Sequence, residues 1–572
     1  MGGNAKSDAI ARCLILMAFL LAAFVLFAGL GRLALMSPDE ERNAEVAREM
    51  KESGAWLVPT YNCLPYLDKP SFFFKTVALS FAAFGETEAA ARLPSALSAT
   101  LLLALAFAFC QREYGARAAT LAVMIIGTMP LYIAFARLVI FDMMLALFVC
   151  ASIFAGYIAE QHEGGRRRNW YLAGAAASAV ATLIKGPVGF IVPVLVLLVF
   201  DRWDRRQGAW KRMFAPLNLI VFFAITLPWF LAVCHAYPDF AHYGLVKETF
   251  RRYTTTEFRR TGPPYYYVPW LMGGCLAWSV LWPESVIAAW RARARLASAD
   301  RLFLTWAVVV VVFFSLSQSK RPDYVLTAAV VLGALTARVF DLAWTGRARA
   351  LRLAMRGTLA LAALASIVAV LGAIYLCHAT ESLHFLDDQR PWVKESMPIL
   401  VAIAAAVALM AWLACWRQRL SLAFTAFVFL PVAAVCGTFS GFVQYAEYKS
   451  SRSLAEKIQD IAPGSDIACV RCFSTGLPFY LKRCITVVTV DGDEMTSNYI
   501  VYWLSRQPRW PDNVVPLAET NSWLSARTRP VLLVGHGKSE ETLDALAESR
   551  GITDTDLPRD WSVALLPPVG GL

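Results

Sequence analysis

Long apolar runs leave this chain few folds to choose from. Stretches able to cross a bilayer lie near residues 10–36, 89–110, 117–136, 139–160, 170–187, 188–201, 214–234, 266–290, 302–317, 324–344, 357–377, 396–415 and 421–443. A helical crossing needs about twenty mostly apolar residues, which gives about thirteen spans. Of the 572 residues, 58% are hydrophobic, and the mean hydropathy is +0.50, which excludes an ordinary soluble domain. The predicted class is a polytopic α-helical membrane protein. The first run is too long for a signal-peptide core and lacks a cleavage site, so it is read as a retained helix. The run 72–84 is too short to span and is read as an interfacial helix outside the cytoplasm.

Basic residues set the orientation. Lys6 and Arg12 precede the first run. Arg112 and Arg117, then Arg166, Arg167 and Arg168, then Arg202, Arg205, Arg206, Lys211 and Arg212 occupy alternate loops. Further on come Arg291, Arg293 and Arg295, then Arg347, Arg349, Arg352 and Arg356, then Arg417 and Arg419. Positive loops stay in the cytoplasm, so the N-terminus is expected inside and the C-terminus outside. The net charge of +11 is thereby explained without a nucleic-acid partner. One outside loop breaks the pattern: residues 235–264 carry Lys247, Arg251, Arg252, Arg259 and Arg260 without matching acids. Such a loop suits an anionic ligand such as a lipid phosphate, or membrane headgroups.

Between the first two runs lies a polar stretch, residues 37–75, crowded with ionisable groups. Ser37 and Glu40 spell a capping box, with Pro38 at the first helical position, so Glu40 is assigned to the helix start. Asp39 is left to point outward, and Arg42 follows one turn on, where an Asp39–Arg42 ion pair can form. The helix should end near Gly54. Further along, Asp68 precedes Lys69, which is held before Pro70.

After residue 448 the chain turns polar, so the expected division is 1–448 in the membrane and 449–572 as a small extracytoplasmic α/β domain. Helices are expected at 451–461, 497–506 and 539–549, and strands near 466–471, 485–490 and 530–534. The run from Val531 through Gly535-His536-Gly537-Lys538-Ser539 is read as an ordinary strand–turn–helix, since phosphate-loop spacing is missing. Cys469 and Cys472 should point to opposite faces of a strand, which speaks against a redox or zinc site. Cys484 could pair with Cys472 in an oxidising compartment.

The polar stretch also carries a resemblance. Asp39-Glu40 with Arg42, followed by Tyr66-Leu67-Asp68-Lys69-Pro70, resembles the first extracytoplasmic loop of the GT-C glycosyltransferases that use polyprenyl-phosphate sugars. The lipid A aminoarabinose transferases and the bacterial members of the protein O-mannosyltransferase clan are the nearest groups. Ala91 to Leu97 (ARLPSAL), Asp142, and Arg260-Thr261-Gly262-Pro263 before Tyr265-Tyr266-Tyr267 are also similar, so the resemblance spans roughly residues 30 to 345. It implies an inverting enzyme that takes a sugar from an undecaprenyl-phosphate donor. Lipid A is the first acceptor it suggests; protein or another glycolipid is the alternative. Asp39 is then the base and Asp142 a second active-site acid, whereas the residues alone favour Asp142 as a structural partner of Arg137. Lys69, Arg42, Lys185, Arg251 and Lys320 become the donor-phosphate cations. Lys185 sits late in an apolar run, where a lysine must snorkel or find an anionic partner. Glu248, Asp68 and Tyr324 are read as orienting residues.

Two departures bear on metal. The aminoarabinose transferases usually have Glu-Lys-Pro where this chain has Asp68-Lys69-Pro70. They also tend to have Glu-His where it has Glu248-Thr249, and Thr249 is a poor substitute for imidazole. No cofactor is firmly implied, and the departure speaks against a divalent metal. A further departure is Lys320-Arg321-Pro322-Asp323-Tyr324, where relatives show Lys-Leu-Pro-x-Tyr. A transporter or flippase also has many spans with embedded charges. It would place them near the midplane of repeated halves, whereas here they gather at one face.

Overall fold

The structure, a computed structural model, describes residues 2–255, 260–291, 293–382, 391–548, 555–557 and 560–567. The chain divides into two compact units. The first comprises Met1–Leu30, Arg92–Leu231 and Leu245–Tyr445; the second comprises Gly31–Ala91, Ala232–Gly244 and Ala446–Leu572. The polar stretch after the first helix falls in the same unit as the C-terminal segment that begins at Ala446.

The first unit is helical. Among the described residues, eight helices are long and apolar enough to cross a membrane, or up to ten with two sharply bent pairs counted as single spans. The bent pairs are Ala116–Gly127 with Pro130–Ala136, and Tyr267–Gly274 with Trp278–Arg291, the latter turning by 114°. Two expected spans fall short. Val188–Trp203 has 16 residues, and Gly164–Lys185 opens on Arg166, Arg167 and Arg168.

Buried arginines seal the end of the first helix, Gly2–Phe27. Arg137 donates to the Val25 and Ala28 carbonyls at 2.7 and 2.8 Å, and Arg92 to the Leu30 carbonyl at 3.0 Å. The last carbonyls of a helix lack intrahelical partners and carry partial negative charge, so guanidinium groups satisfy them well. This gives the ARLPSAL stretch a structural task. Deeper in the core, Trp278 stacks on Phe427 at 5.2 Å and donates to Thr128 at 3.1 Å.

The second unit contains a six-stranded sheet in the order Val514–Pro516, Thr486–Thr489, Asp466–Val470, Val531–His536, Trp561–Leu566, Thr555–Leu557. The first four strands run parallel and the last two pairings are antiparallel. Alternation along Asp466–Val470 divides two cores: Ile467 and Cys469 pack with Leu454 and Ile458, while Ala468 and Val470 pack with Leu533 and Leu543. That period of two is what a sheet covered on both faces requires. The expected helices appear as Arg452–Ile461, Asn498–Leu504 and Glu540–Glu548.

The polar stretch is built into this unit. Helix Asp39–Ser53 ends on Gly54, whose φ of 69° is the left-handed cap that glycine suits. A hairpin, Thr60–Tyr61 with Leu64–Pro65, turns through Asn62 and Cys63, both at positive φ. The Asn62 side chain exchanges two hydrogen bonds with the Ile485 backbone, at 2.7 and 2.8 Å. A disulfide joins Cys63 to Cys484, which corrects the expected Cys472–Cys484 pairing. Cys469 and Cys472 are also corrected. The strand ends at Val470, Arg471 takes a left-handed conformation, and both thiols enter the same core. Their contact, together with burial, raises the Cys469 thiol well above its ordinary pKa.

Candidate active site

Asp39 is the first residue of its helix, and its carboxylate pairs with Arg42 as the i,i+3 spacing requires. The Asp39 side chain remains 33% exposed. The Arg42 guanidinium also donates to the Thr496 hydroxyl and carbonyl, at 2.9 and 3.2 Å, and lies over the Tyr66 ring. Arg42 thus ties the helix start to the turn before Asn498–Leu504. The expected capping box is corrected, because the helix starts one residue later, at Asp39. The Glu40 carboxylate accepts from the Met36 N–H at 3.1 Å. Ser37 does not cap: its hydroxyl meets Thr475 at 2.9 Å, and its N–H donates to the Lys449 carbonyl.

Glu41, next to these groups, is fully buried. It accepts from the Ser451 N–H and hydroxyl, and from Thr475 and Ser450. Burial outweighs these donors and pushes its carboxyl up to about 7.

Asp68 is surrounded by proton donors. One oxygen accepts from the Tyr243 hydroxyl at 2.5 Å and the Tyr499 N–H at 2.8 Å; the other accepts from the Ser497 hydroxyl at 2.8 Å. The Tyr243 ring packs on Tyr499 and Tyr502 at 5.0 and 5.1 Å. Lys69 is half-buried, and its ammonium donates to the Asp68 carbonyl at 2.8 Å. Because Asp68 faces N–H and O–H groups on both oxygens, these residues do not fit a metal centre. His235 and His242 are exposed, and it is Tyr243 that reaches Asp68. Glu49 lies beside Cys63 and Cys484, but a disulfide offers no thiolate.

The membrane unit holds its own charged cluster. The Lys185 ammonium lies between Asp142, which it pairs closely, and Asp323 at 2.8 Å. Arg321 pairs with Asp323 at 2.9 Å. The Phe141 and Tyr324 rings flank Lys185 at 5.0 and 4.8 Å. Two acids thus balance two bases, which is how a charge low in water contact is tolerated. The Asp142–Arg137 pair allowed by the sequence is corrected to Asp142–Lys185, since Arg137 serves the backbone of the first helix. Lys320 is buried and donates to the Ser317 carbonyl at 2.6 Å. Arg252 pairs with Glu248, which corrects the expectation that this loop lacks matching acids. Arg251 lies one residue before it, at the end of the wide helical segment His242–Arg251, and Arg259 lies outside the described residues.

Sequence reasoning missed Tyr243, Thr496, Ser497, Tyr499 and the structural role of Glu41. Ser497 and Tyr243 are 429 and 175 residues from Asp68, and no local pattern links them. Asp323 was findable, as an acid at the mouth of an apolar run.

The chain is similar in sequence and in fold to known proteins. The family profile of dolichyl-phosphate-mannose-protein mannosyltransferases matches residues 68–231. An undecaprenyl phosphate-α-4-amino-4-deoxy-L-arabinose arabinosyl transferase from Sodalis glossinidius is 33% identical over 394 residues, 67% of this chain and 70% of the relative. The enzyme of that name from Shewanella sediminis is 28% identical over 71% of this chain and 72% of its own length. Among solved structures, ArnT from Cupriavidus metallidurans bound to undecaprenyl phosphate superposes with a TM-score of 0.80 at 27% identity. That match covers 96% of this chain and 97% of the ArnT chain.

Proposed function

Because the chain belongs to the undecaprenyl phosphate-α-4-amino-4-deoxy-L-arabinose arabinosyl transferases, a group of GT-C glycosyltransferases, we propose that it moves aminoarabinose from an undecaprenyl-phosphate carrier to lipid A. The observation that carries this reading is the Asp39 carboxylate, paired with Arg42 at a helix start and one-third exposed.

In the proposed reaction Asp39 takes the proton of the acceptor hydroxyl. The freed oxygen pair attacks the anomeric carbon, the bond from that carbon to the phosphate oxygen breaks, and undecaprenyl phosphate departs with its electrons. Attack opposite the leaving group inverts the anomeric configuration. A well-placed base contributes roughly a hundredfold or more to such a step. Lys69 supplies positive charge to the leaving phosphate, where a partly dehydrated setting strengthens the pairing. Arg42 acts through Asp39 as a positioning residue, and Asp68 holds the Lys69 backbone against Ser497 and Tyr499. For Asp142, Lys185, Arg251 and Lys320 the proposed roles rest on the resemblance. The double acid pairing of Lys185 supports an orienting role over one as a free phosphate ligand.

We also place the arginine-rich loops in the cytoplasm of an inner-membrane protein and residues 449–572 in the periplasm, on the strength of the charge pattern. Purified enzyme given undecaprenyl-phosphate aminoarabinose and lipid A should yield sugar-modified lipid A. Modification only of an added envelope protein would overturn lipid A as acceptor. No transfer to either would overturn the reaction.

A further inference from the structure

The membrane unit contains a cavity of about 390 Å³ to which the proposed reaction assigns no role. It lies among the helices Trp282–Arg291, Ser298–Leu316, Leu326–Trp344 and Ala348–Ser382. Its walls are apolar, with Trp282, Leu304, Leu335, Leu342 and Leu353 prominent. Its charged lining is mainly cationic: Arg338, Arg347 and Arg349, against the single acid Asp300.

The charges there are unequally matched. Asp300 accepts from the Tyr114 hydroxyl at 2.7 Å, and Arg338 pairs with Asp341, which Arg117 also uses. Among the described residues, Arg347 and Arg349 make no ion pair, and both are exposed. Two positive charges thus stand at the mouth of an apolar cavity.

Flanking side chains put this mouth at a bilayer boundary. Trp290 and Trp344 are exposed, at 70% and 36%, as tryptophans of an interfacial belt are. Val286, which lines the cavity, and its neighbour Ile287 are more than half exposed, so the helix Trp282–Arg291 shows an apolar flank to lipid. Basic pockets between membrane helices on the cytoplasmic side suit anionic headgroups. A soluble anion would gain nothing from the apolar walls, and a neutral lipid nothing from the arginines.

We propose that this cavity binds one anionic phospholipid, its phosphate at Arg347 and Arg349 and an acyl chain against Leu335, Leu342 and Leu353. The full-length protein, purified in detergent, would be examined by native mass spectrometry with dioleoylphosphatidylglycerol or dioleoylphosphatidylcholine added. Wild type should retain one phosphatidylglycerol more strongly than phosphatidylcholine. The R347Q/R349Q variant should lose that adduct by at least about fivefold, as expected for removing two cations near a headgroup. L335W, which fills the cavity and leaves every arginine in place, should lose it as well. R352Q/R356Q removes the same charge outside the cavity lining and should keep it. Size-exclusion elution identical to wild type excludes misfolding as the cause. Equal retention of the two lipids, an unchanged adduct in R347Q/R349Q and L335W, or an equal loss in R352Q/R356Q would overturn the proposal. So would displacement of the phospholipid by equimolar undecaprenyl phosphate.

Discussion

Lys69 is the residue at which charge and metal readings part. Its ammonium is half-buried beside Asp68, whose oxygens are committed to Tyr243, Ser497 and Tyr499. Lys69→Ala should therefore abolish donor use, and Lys69→Arg should restore only part of it, because a guanidinium fork is not a point charge. The enzyme should also keep its activity after exhaustive EDTA treatment. A chelated enzyme that is dead and is revived by one divalent ion would refute this, and Asp68 would be the first ligand to substitute. At this scale the sequence was partly legible. The three-residue step from Asp39 to Arg42 announced their pairing, because helix geometry puts such residues on one face. The partners of Asp68 were not legible, since they come from segments hundreds of residues away. Lys185 showed only that it needed an anion; which carboxylates supplied it depended on helix packing.

Among the elements, the helix Asp39–Ser53 is buried along most of its length, and Glu41 is its anchor. The Glu41 carboxyl lies near 7 in the folded unit, against an ordinary value of 4.5. Between those two pH values the folded state holds more protons than the unfolded state. The contribution of Glu41 to stability is thus greatest below pH 4.5, falls as pH rises to about 7, and is flat above that. The whole span is worth at most about 3 kcal/mol. Glu41→Gln keeps an acceptor oxygen and cannot ionise, so the difference in melting temperature between wild type and E41Q should change between pH 5 and 7. A pH-independent difference would show that Glu41 does not titrate in this range. The Cys63–Cys484 link belongs to the same unit. C63S/C484S should cost about 2–4 kcal/mol of its stability, and peptide mapping under non-reducing conditions should recover Cys63 joined to Cys484. A Cys472–Cys484 peptide would contradict the structure. Periodicity revealed the helices and the central strands here, because two-faced burial writes long apolar alternation. The strands Val514–Pro516 and Thr555–Leu557 are too short to write any. The disulfide was misread because Cys472 is near Cys484 in sequence, whereas the hairpin turn at Asn62 and Cys63 is near it in space.

For the whole molecule, the alternation of basic loops was the strongest signal in the chain, and it yields a topology to be checked. Reporter fusions at Arg167 and Arg293 should read cytoplasmic, and those after Glu52 and at Gly464 periplasmic. A cytoplasmic signal at Gly464 would put the C-terminal sheet on the wrong side for the proposed reaction. The number of spans was less legible, because an apolar run does not reveal whether its helix bends, as Tyr267–Gly274 and Trp278–Arg291 do. The central claim is that Asp39 drives transfer of aminoarabinose to lipid A. Mass spectrometry of lipid A from cells lacking the protein, and from the same cells supplied with wild type or Asp39→Asn, tests it most directly. Wild type should add the aminoarabinose mass to lipid A, and Asp39→Asn, at equal membrane abundance, should lower that signal by about a hundredfold or more. Lipid A that is the same with and without the wild-type protein, or is fully modified by the Asp39→Asn variant, would contradict the account.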